Sequence, residues 1–276
     1  MQDITLEQLL EAGCHFGHKA ERWHPKAASF IWQEKDGIHI IDLAKTKSGL
    51  DRAMEFVRDT AAKGGTVLFV GSKRQARGVV KEAAVNAGAS YLVQRWIGGF
   101  MTNWEGVHKN LLKIKKMMDD QVNGGWKKFP KHEQTKLARY LERLNVDYAG
   151  VLALSALPNA IVVVDVRKEQ AAVREAHRMN IPVVGIVDTN ANPEDIEYVI
   201  PANDDAVGSV QLIMNALGDA YREGREQAEK EAAVATEKAQ KEAEKAKKKA
   251  EETAAAAPKA EEEKVVASSV KMGRAQ

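Results

Sequence analysis

The chain has a single cysteine, Cys14, so no intramolecular disulfide framework can form, and this usage fits a reducing compartment. It also lacks any run of about 18 apolar residues long enough to cross a bilayer. The first residues, MQDITLEQLLEAG, carry neither a basic start nor an apolar targeting stretch. A soluble, untargeted, cytoplasmic protein with no membrane partner is therefore expected. Charge of one sign is scarce as well: the formal net charge is +2 and the pI near 8.4, too weak by themselves to imply a nucleic-acid partner. Distribution along the chain has to decide that. Two nucleotide-binding and hydrolase signatures are missing altogether, G-x-G-x-x-G and the G-x-S-x-G elbow.

Hydrophobic residues make up 44% and charged residues 29% of the 276 positions, ordinary values for a globular core, so disorder along the whole chain is excluded. Short apolar, β-branched runs recur at Ile38 to Ile41, Thr66 to Val70, Ser90 to Val93, Ala160 to Asp165 and Pro182 to Val187, and read as buried strands. Helical stretches with charged faces, Leu50 to Ala62, Ser72 to Ala87 and Arg167 to Met179, lie between several of them. This is the pattern of βαβ units, and near-continuous apolar strands favour a parallel sheet covered on both faces. The expected fold class is α/β, a three-layer, doubly wound parallel sheet.

One segment breaks the alternation. Val107, Leu111, Ile114 and Met118 follow helical spacing, as do Leu137, Leu141, Leu144 and Tyr148, and between the seams lie Gly124-Gly125 and Pro130. An antiparallel, coiled-coil-like helical hairpin inserted at 103–148 is expected, dividing the α/β domain into 1–102 and 149–228. A last helix starts near Asp205 with Val207, Val210, Met214, Leu217 and Tyr221 on one stripe. Residues 229–276 form a low-complexity Ala/Lys/Glu tail with eleven Lys/Arg against ten Asp/Glu, so it is dense in charge yet nearly neutral. Disorder or partial helix is expected there.

Parallel α/β sheets bind ligands at the carboxyl ends of their strands, so an enzyme must be considered. Val67 to Val70 runs into Gly71-Ser72-Lys73-Arg74 and a helix, but Gly65 precedes the strand and a serine separates Gly71 from Lys73, which is not phosphate-loop spacing. A basic helix start that packs, or that meets nucleic-acid phosphate through Lys73 and Arg74, is the better reading. Asp165 and Asp188 each end an apolar strand and Asp204-Asp205 precede the last helix; such carboxylates cap turns and helices or hold Mg²⁺, and an ion bridging Asp188 and Asp204 stays open. Cys14, His15 and His18 fall close together, yet no second Cys/His pair completes a structural zinc site. No cofactor, metal ion or small-molecule substrate is expected.

The basic signal sharpens when it is sorted by segment. From 103 to 147 there are ten Lys/Arg, Lys109, Lys113 and Lys116 among them, against six Asp/Glu. At the tip, Trp126-Lys127-Lys128-Phe129 alternates aromatic faces with cations and Lys131 follows, which suits phosphate neutralisation plus stacking on an unpaired base. The alternative is a solvated lysine face with Trp126 and Phe129 closing the hairpin. Arg22-Trp23-His24-Pro25-Lys26 and Gln94-Arg95-Trp96 combine cations with indoles at loop positions, where binding residues concentrate.

Several blocks in register carry a family resemblance. GCHFGHKAERWHPK from Gly13, GIHIIDL from Gly37, FVGSKRQ from Phe69, QRWIGGFMTN from Gln94, IPVVGIVDTN from Ile181 and IPANDDA from Ile200 resemble the bacterial family of the second small-subunit ribosomal protein, over about Met1 to Arg225. The resemblance implies a flavodoxin-like α/β domain with a protruding helical hairpin and no catalysis. It also implies a structural constituent of the small ribosomal subunit, on its solvent side between head and body. There it would bind small-subunit rRNA, touch neighbouring ribosomal proteins and help to hold the large mRNA-binding one during translation. Candidate rRNA-binding residues are thus Arg22, Trp23, Lys26, Lys73, Arg74, Arg95, Lys109, Lys113, Lys116, Trp126, Lys127, Lys128 and Lys131. The stretch Ala149 to Ala156 departs from the glycine-rich, basic segment the family pattern leads one to expect.

Overall fold

The computed structural model describes residues 4–233, so the tail expected from 229 lies largely outside the described residues. The described residues fall into two units, 4–226 and 227–233, the second of them helical.

Five strands build the main sheet: β4 (Val67–Val70), β5 (Ser90–Leu92), β6 (Ala160–Val164), β7 (Val183–Val187) and β8 (Tyr198–Pro201). Their spatial order is β5-β4-β6-β7-β8 and every neighbouring pair is parallel. Winding reverses between β4 and β6, as in a flavodoxin-like sheet. The period-two alternation of these apolar strands feeds two cores. Val67, Phe69, Val162, Val164, Val184 and Ile186 face one core, where helices α2 (Leu43–Ala62) and α3 (Arg77–Ala87) contribute Leu50, Val57, Val80 and Ala84. A last helix, which starts at Val207, adds Val210, Met214, Leu217 and Tyr221 to the same core. Leu68, Val70, Ile161, Val163 and Val187 face the other, covered by Ala172, Val173 and Ala176 of α6 (Gln170–Arg178) and by Phe100, Met101, Val107 and Leu111.

The strand at Ile38 to Ile41 does not join this sheet, contrary to the expectation from its apolar run. It is β3, the centre of a separate antiparallel sheet between β1 (Phe16–Lys19) and β2 (Ile31–Lys35). The turn from β2 to β3 is Asp36-Gly37, with φ of 53° and 73°, and positive φ at both central residues is what a tight hairpin of matching twist requires. That local geometry commits β3 to β2. Two helix starts also differ from expectation. Asp42 caps α2 through its side chain, which accepts from Ala44 N at 2.9 Å, so the helix begins well before Leu50. α3 begins at Arg77 because Lys73 to Ala76 form a turn, closed by Ala76 N donating to the Lys73 carbonyl at 2.9 Å, and the Ser72 carbonyl accepts from Arg77 Nε at 2.9 Å.

Between β5 and β6 the chain leaves the sheet as α4 (Trp104–Val122), turns, and returns as α5 (Lys131–Tyr148). Ile114, Leu141 and Trp126 form its own small core, flanked by Met117, Phe129, Leu137 and Leu144. Lys113 lies over Tyr140 near the middle of the two arms, and Arg95 of the body meets Asp147 at their base.

Candidate nucleic-acid interface

The exposed face of the hairpin carries the candidate cations. Lys109, Lys113 and Lys116 are exposed on α4, as are Lys127, Lys128 and Lys131 around the tip. Gly124, at φ 73°, supplies the left-handed residue that stops α4 and starts the turn. Lys128 Nζ sits 5.2 Å from the centre of the Phe129 ring and Lys113 Nζ 5.8 Å from that of Tyr140, so the cations lie along aromatic surface with their charge outward. Trp126 differs from the other tip residues. It is only 8% exposed and packs with Ile114 and Leu141, the alternative weighed for it above, so its ring faces the seam and Phe129 is the more open aromatic.

Arg22, Trp23 and Lys26 form a second exposed group. The short helical turn Ala20–Arg22 and the following Pro25–Phe30 segment are pinned by His24, whose N–H donates to the Thr189 carbonyl at 2.8 Å. Trp23 stands edge-on to His39 at 5.4 Å with part of its ring in solvent, and Lys26 pairs with Glu194. Arg95 is exposed and holds Asp147 of α5 at 2.8 Å. Arg74 is also exposed.

Lys73 points elsewhere. Its Nζ lies 2.7 Å from Asp204 Oδ1, 2.7 Å from Asp205 Oδ1 and 3.2 Å from Asp165 Oδ2, at the carboxyl ends of β4, β6 and β8. Burial disfavours its charge, but the hydrogen bonds to Asp204 and Asp205 outweigh that and hold its pKa above the usual lysine range. A phosphate placed here would meet three carboxylates. The Gly71 turn is closed in another way too, since Ser72 N already donates to Glu169 Oε1 at 2.9 Å. A Cβ on Gly71 would come 2.8 Å from Val80 Cγ2, so the glycine serves close helix-to-strand packing and not a ligand cradle.

His18 completes the cluster, with Nδ1 3.1 Å from Asp188 Oδ2 and Nε2 3.3 Å from Asp205 Oδ2. Its pKa is raised by the Asp188 hydrogen bond, against burial. The Asp204 pKa is pushed up to about 7 by burial and by the charges of Asp165 and Asp188, against the pull of Lys73. Ligand atoms of His18, Asp188 and Asp204 all lie within 4.8 Å of one another, so one imidazole and two carboxylates form a donor set of the type that divalent cations use. His18 and Asp188 lie 170 positions apart in the sequence, so only the fold brings the imidazole to the aspartates.

A family model described as ribosomal protein S2 matches residues 9–224. The chain belongs to the ribosomal protein S2 family. It is 48% identical, over 226 residues, to the small ribosomal subunit protein uS2 of Coprothermobacter proteolyticus, covering 82% of this chain and 84% of that relative. An S2-family chain is a structural constituent of the small ribosomal subunit and not an enzyme. The matched region holds the main sheet, the hairpin and the three-stranded sheet. Among the described residues no helix is long and apolar enough to cross a membrane.

Proposed function

We propose that this S2-family chain binds small-subunit rRNA chiefly through the exposed cations of its hairpin, Lys109, Lys113, Lys116, Lys127, Lys128 and Lys131, with Arg22, Trp23, Lys26, Arg74 and Arg95 as body contacts. The observation that carries this reading is the excess of four cations in residues 103–147, all six named hairpin lysines being solvent-exposed. Phosphate neutralisation needs cations whose charge reaches solvent, as those of exposed Lys26 and Arg95 do beside one carboxylate each, whereas Lys73 is largely buried among three. By that criterion Lys73 serves as a counter-ion for the acidic cluster, and Trp126 as the apolar bolt of the tip, with any base stacking left to Phe129 and Trp23.

Docking of the large mRNA-binding ribosomal protein is the second part of the proposal. Supporting it is an exposed apolar patch in which Leu10, Phe16 and Trp32 line one depression on the small antiparallel sheet and α1 (Leu6–Glu11). Trp32 is 66% exposed, and large rings left in water on a folded domain mark interaction ground.

Reconstitution tests both parts. Small subunits depleted of their S2-family protein should take up the wild-type chain, and a folded variant with Lys127, Lys128 and Lys131 changed to glutamate should be retained poorly. Trp32→Ala should enter the particle normally yet lower the retention of the large mRNA-binding protein. Normal uptake of the triple variant would refute contact at the hairpin tip.

A further inference from the structure

Glu175 on α6 faces the loop that launches the hairpin, and the loop turns its polar hydrogens toward it. Glu175 Oε1 accepts from Trp96 Nε1 at 2.9 Å and from Gly99 N at 2.8 Å. Oε2 accepts from Met101 N at 3.0 Å, from Thr102 N at 3.3 Å and from the Thr102 hydroxyl at 3.4 Å. Gly99, at φ 80°, lets the backbone curl so that these N–H groups converge. Burial would favour the neutral acid, yet the Trp96, Gly99, Met101 and Thr102 donors outweigh it and keep the Glu175 pKa below its ordinary value.

What the carboxylate grips leads directly into α4. Trp96, Phe100, Trp104 and His108 make successive ring contacts at 5.4, 5.8 and 5.7 Å, a ladder from the body loop into the first two turns of the helix. The other end of the loop is held by α3, where Arg77 donates to Gln94 Oε1 at 3.2 Å and to the Gln94 carbonyl at 3.0 Å. Without its Glu175 bonds the loop would keep its aromatic packing but lose the directional restraint on Trp96 and on the backbone from Gly99 to Thr102.

We propose that Glu175 is a positioning residue for nucleic-acid binding: it fixes the direction in which the hairpin leaves the body, so that hairpin and body cations meet one rRNA surface together. The inference rests on the rRNA-binding reading above. A binding surface in two parts is weakened when only a fraction of molecules holds both parts in register, and a competent fraction of about one tenth weakens binding about tenfold.

The test compares the wild-type chain with Glu175→Gln, which keeps the side chain's shape and removes its charge, and with Trp96→Phe, which removes one donor and keeps an aromatic ring. Spin labels at Val122→Cys and Lys63→Cys, in a Cys14→Ala background, report the hairpin-to-body distance distribution without RNA. The Trp96 indole N–H resonance reports the bond itself in the unlabelled chain. Glu175→Gln should shift that resonance, broaden the distance distribution and weaken rRNA binding about tenfold, while leaving the salt slope unchanged because no phosphate contact is lost. Trp96→Phe, which carries no indole N–H to observe, should broaden the distance distribution and weaken rRNA binding to a smaller degree. An unchanged distance distribution in folded Glu175→Gln overturns the proposal. So does unchanged affinity, provided the triple glutamate tip variant binds weakly; if that variant binds normally too, it is the rRNA-binding reading that has failed.

Discussion

The Lys73 ammonium lies 2.7 Å from the carboxylate of Asp204, which is 1% exposed, and these two groups join the carboxyl ends of β4 and β8 across the sheet. Removing one partner of a buried pair leaves the other charge uncompensated. Lys73→Met is therefore expected to destabilise the protein by about 2–4 kcal/mol in urea unfolding at neutral pH, below the largest losses for buried pairs because Asp204 can take up a proton. If the change left rRNA affinity intact while lowering stability, Lys73 would be a structural counter-ion as the geometry indicates.

The same cluster gives a pH dependence of definite sign. Asp204 titrates near 7 in the folded chain against 3.8 as its ordinary value, so between these values the folded state holds a proton that the unfolded state has lost. Stability from this group is present at low pH and falls as pH rises from about 4 to 7, with a slope of at most about 1.4 kcal/mol per pH unit for one proton. His18, whose pKa is raised, acts in the same direction: its contribution is full below 6.5 and is lost as pH passes its folded value. Asp204→Asn should flatten the decline measured by chemical unfolding between pH 5 and 8. A wild-type chain that gained stability over that interval, with the variant unchanged, would contradict the assignment.

Trp126 belongs to the hairpin's own core with Ile114 and Leu141. Its replacement by alanine removes a large buried ring, which in a packed core costs about 3–5 kcal/mol. Because Val107 and Leu111 tie the start of α4 to the sheet core while Ile114, Trp126 and Leu141 form a cluster of their own, the loss should appear as faster amide exchange in the tip-ward parts of α4 and α5, with protection in β4, β6 and β7 retained. Uniform loss of protection would show instead that the hairpin and the sheet unfold as one.

Gly150, where the chain returns from the hairpin, lies so close to β5 that an added Cβ would stand 2.2 Å from the Tyr91 carbonyl oxygen. Gly150→Ala should cost about 3 kcal/mol or prevent folding, since backbone on a sheet edge cannot move aside cheaply. Thermal unfolding of the variant measures it. In the stretch from Ala149, Val151 and Leu154 enter the core on that face of the sheet, so the segment packs there.

Much of the sheet was legible because β4, β6 and β7 are buried on both faces and so read as unbroken apolar runs. β2 was not, since Ile31 to Lys35 is an exposed edge carrying Trp, Gln, Glu and Lys, and its one signal was the Asp36-Gly37 turn. β8 was hidden for a related reason: Tyr198 and Val199 are only half-buried and the strand ends on Pro201. The exposed lysines of the hairpin follow from helical spacing, whereas the partners of Lys73 and the donors around Glu175 come from segments 70 or more positions away. A lone glutamate in an amphipathic helix carries no local mark of what it holds.

The salt dependence of small-subunit rRNA binding tests the central claim most directly. Each cation on a phosphate releases counterions, so log affinity should fall linearly with log salt. Changing Lys127, Lys128 and Lys131 to glutamate should weaken binding at low salt and flatten the slope by roughly two to three, at about 0.7–0.9 per lost contact, with circular dichroism showing an intact α/β body. Unchanged affinity and slope in that folded variant would contradict contact at the hairpin tip and leave Lys109, Lys113 and Lys116 of α4, with Arg22, Lys26, Arg74 and Arg95, to carry any RNA contact.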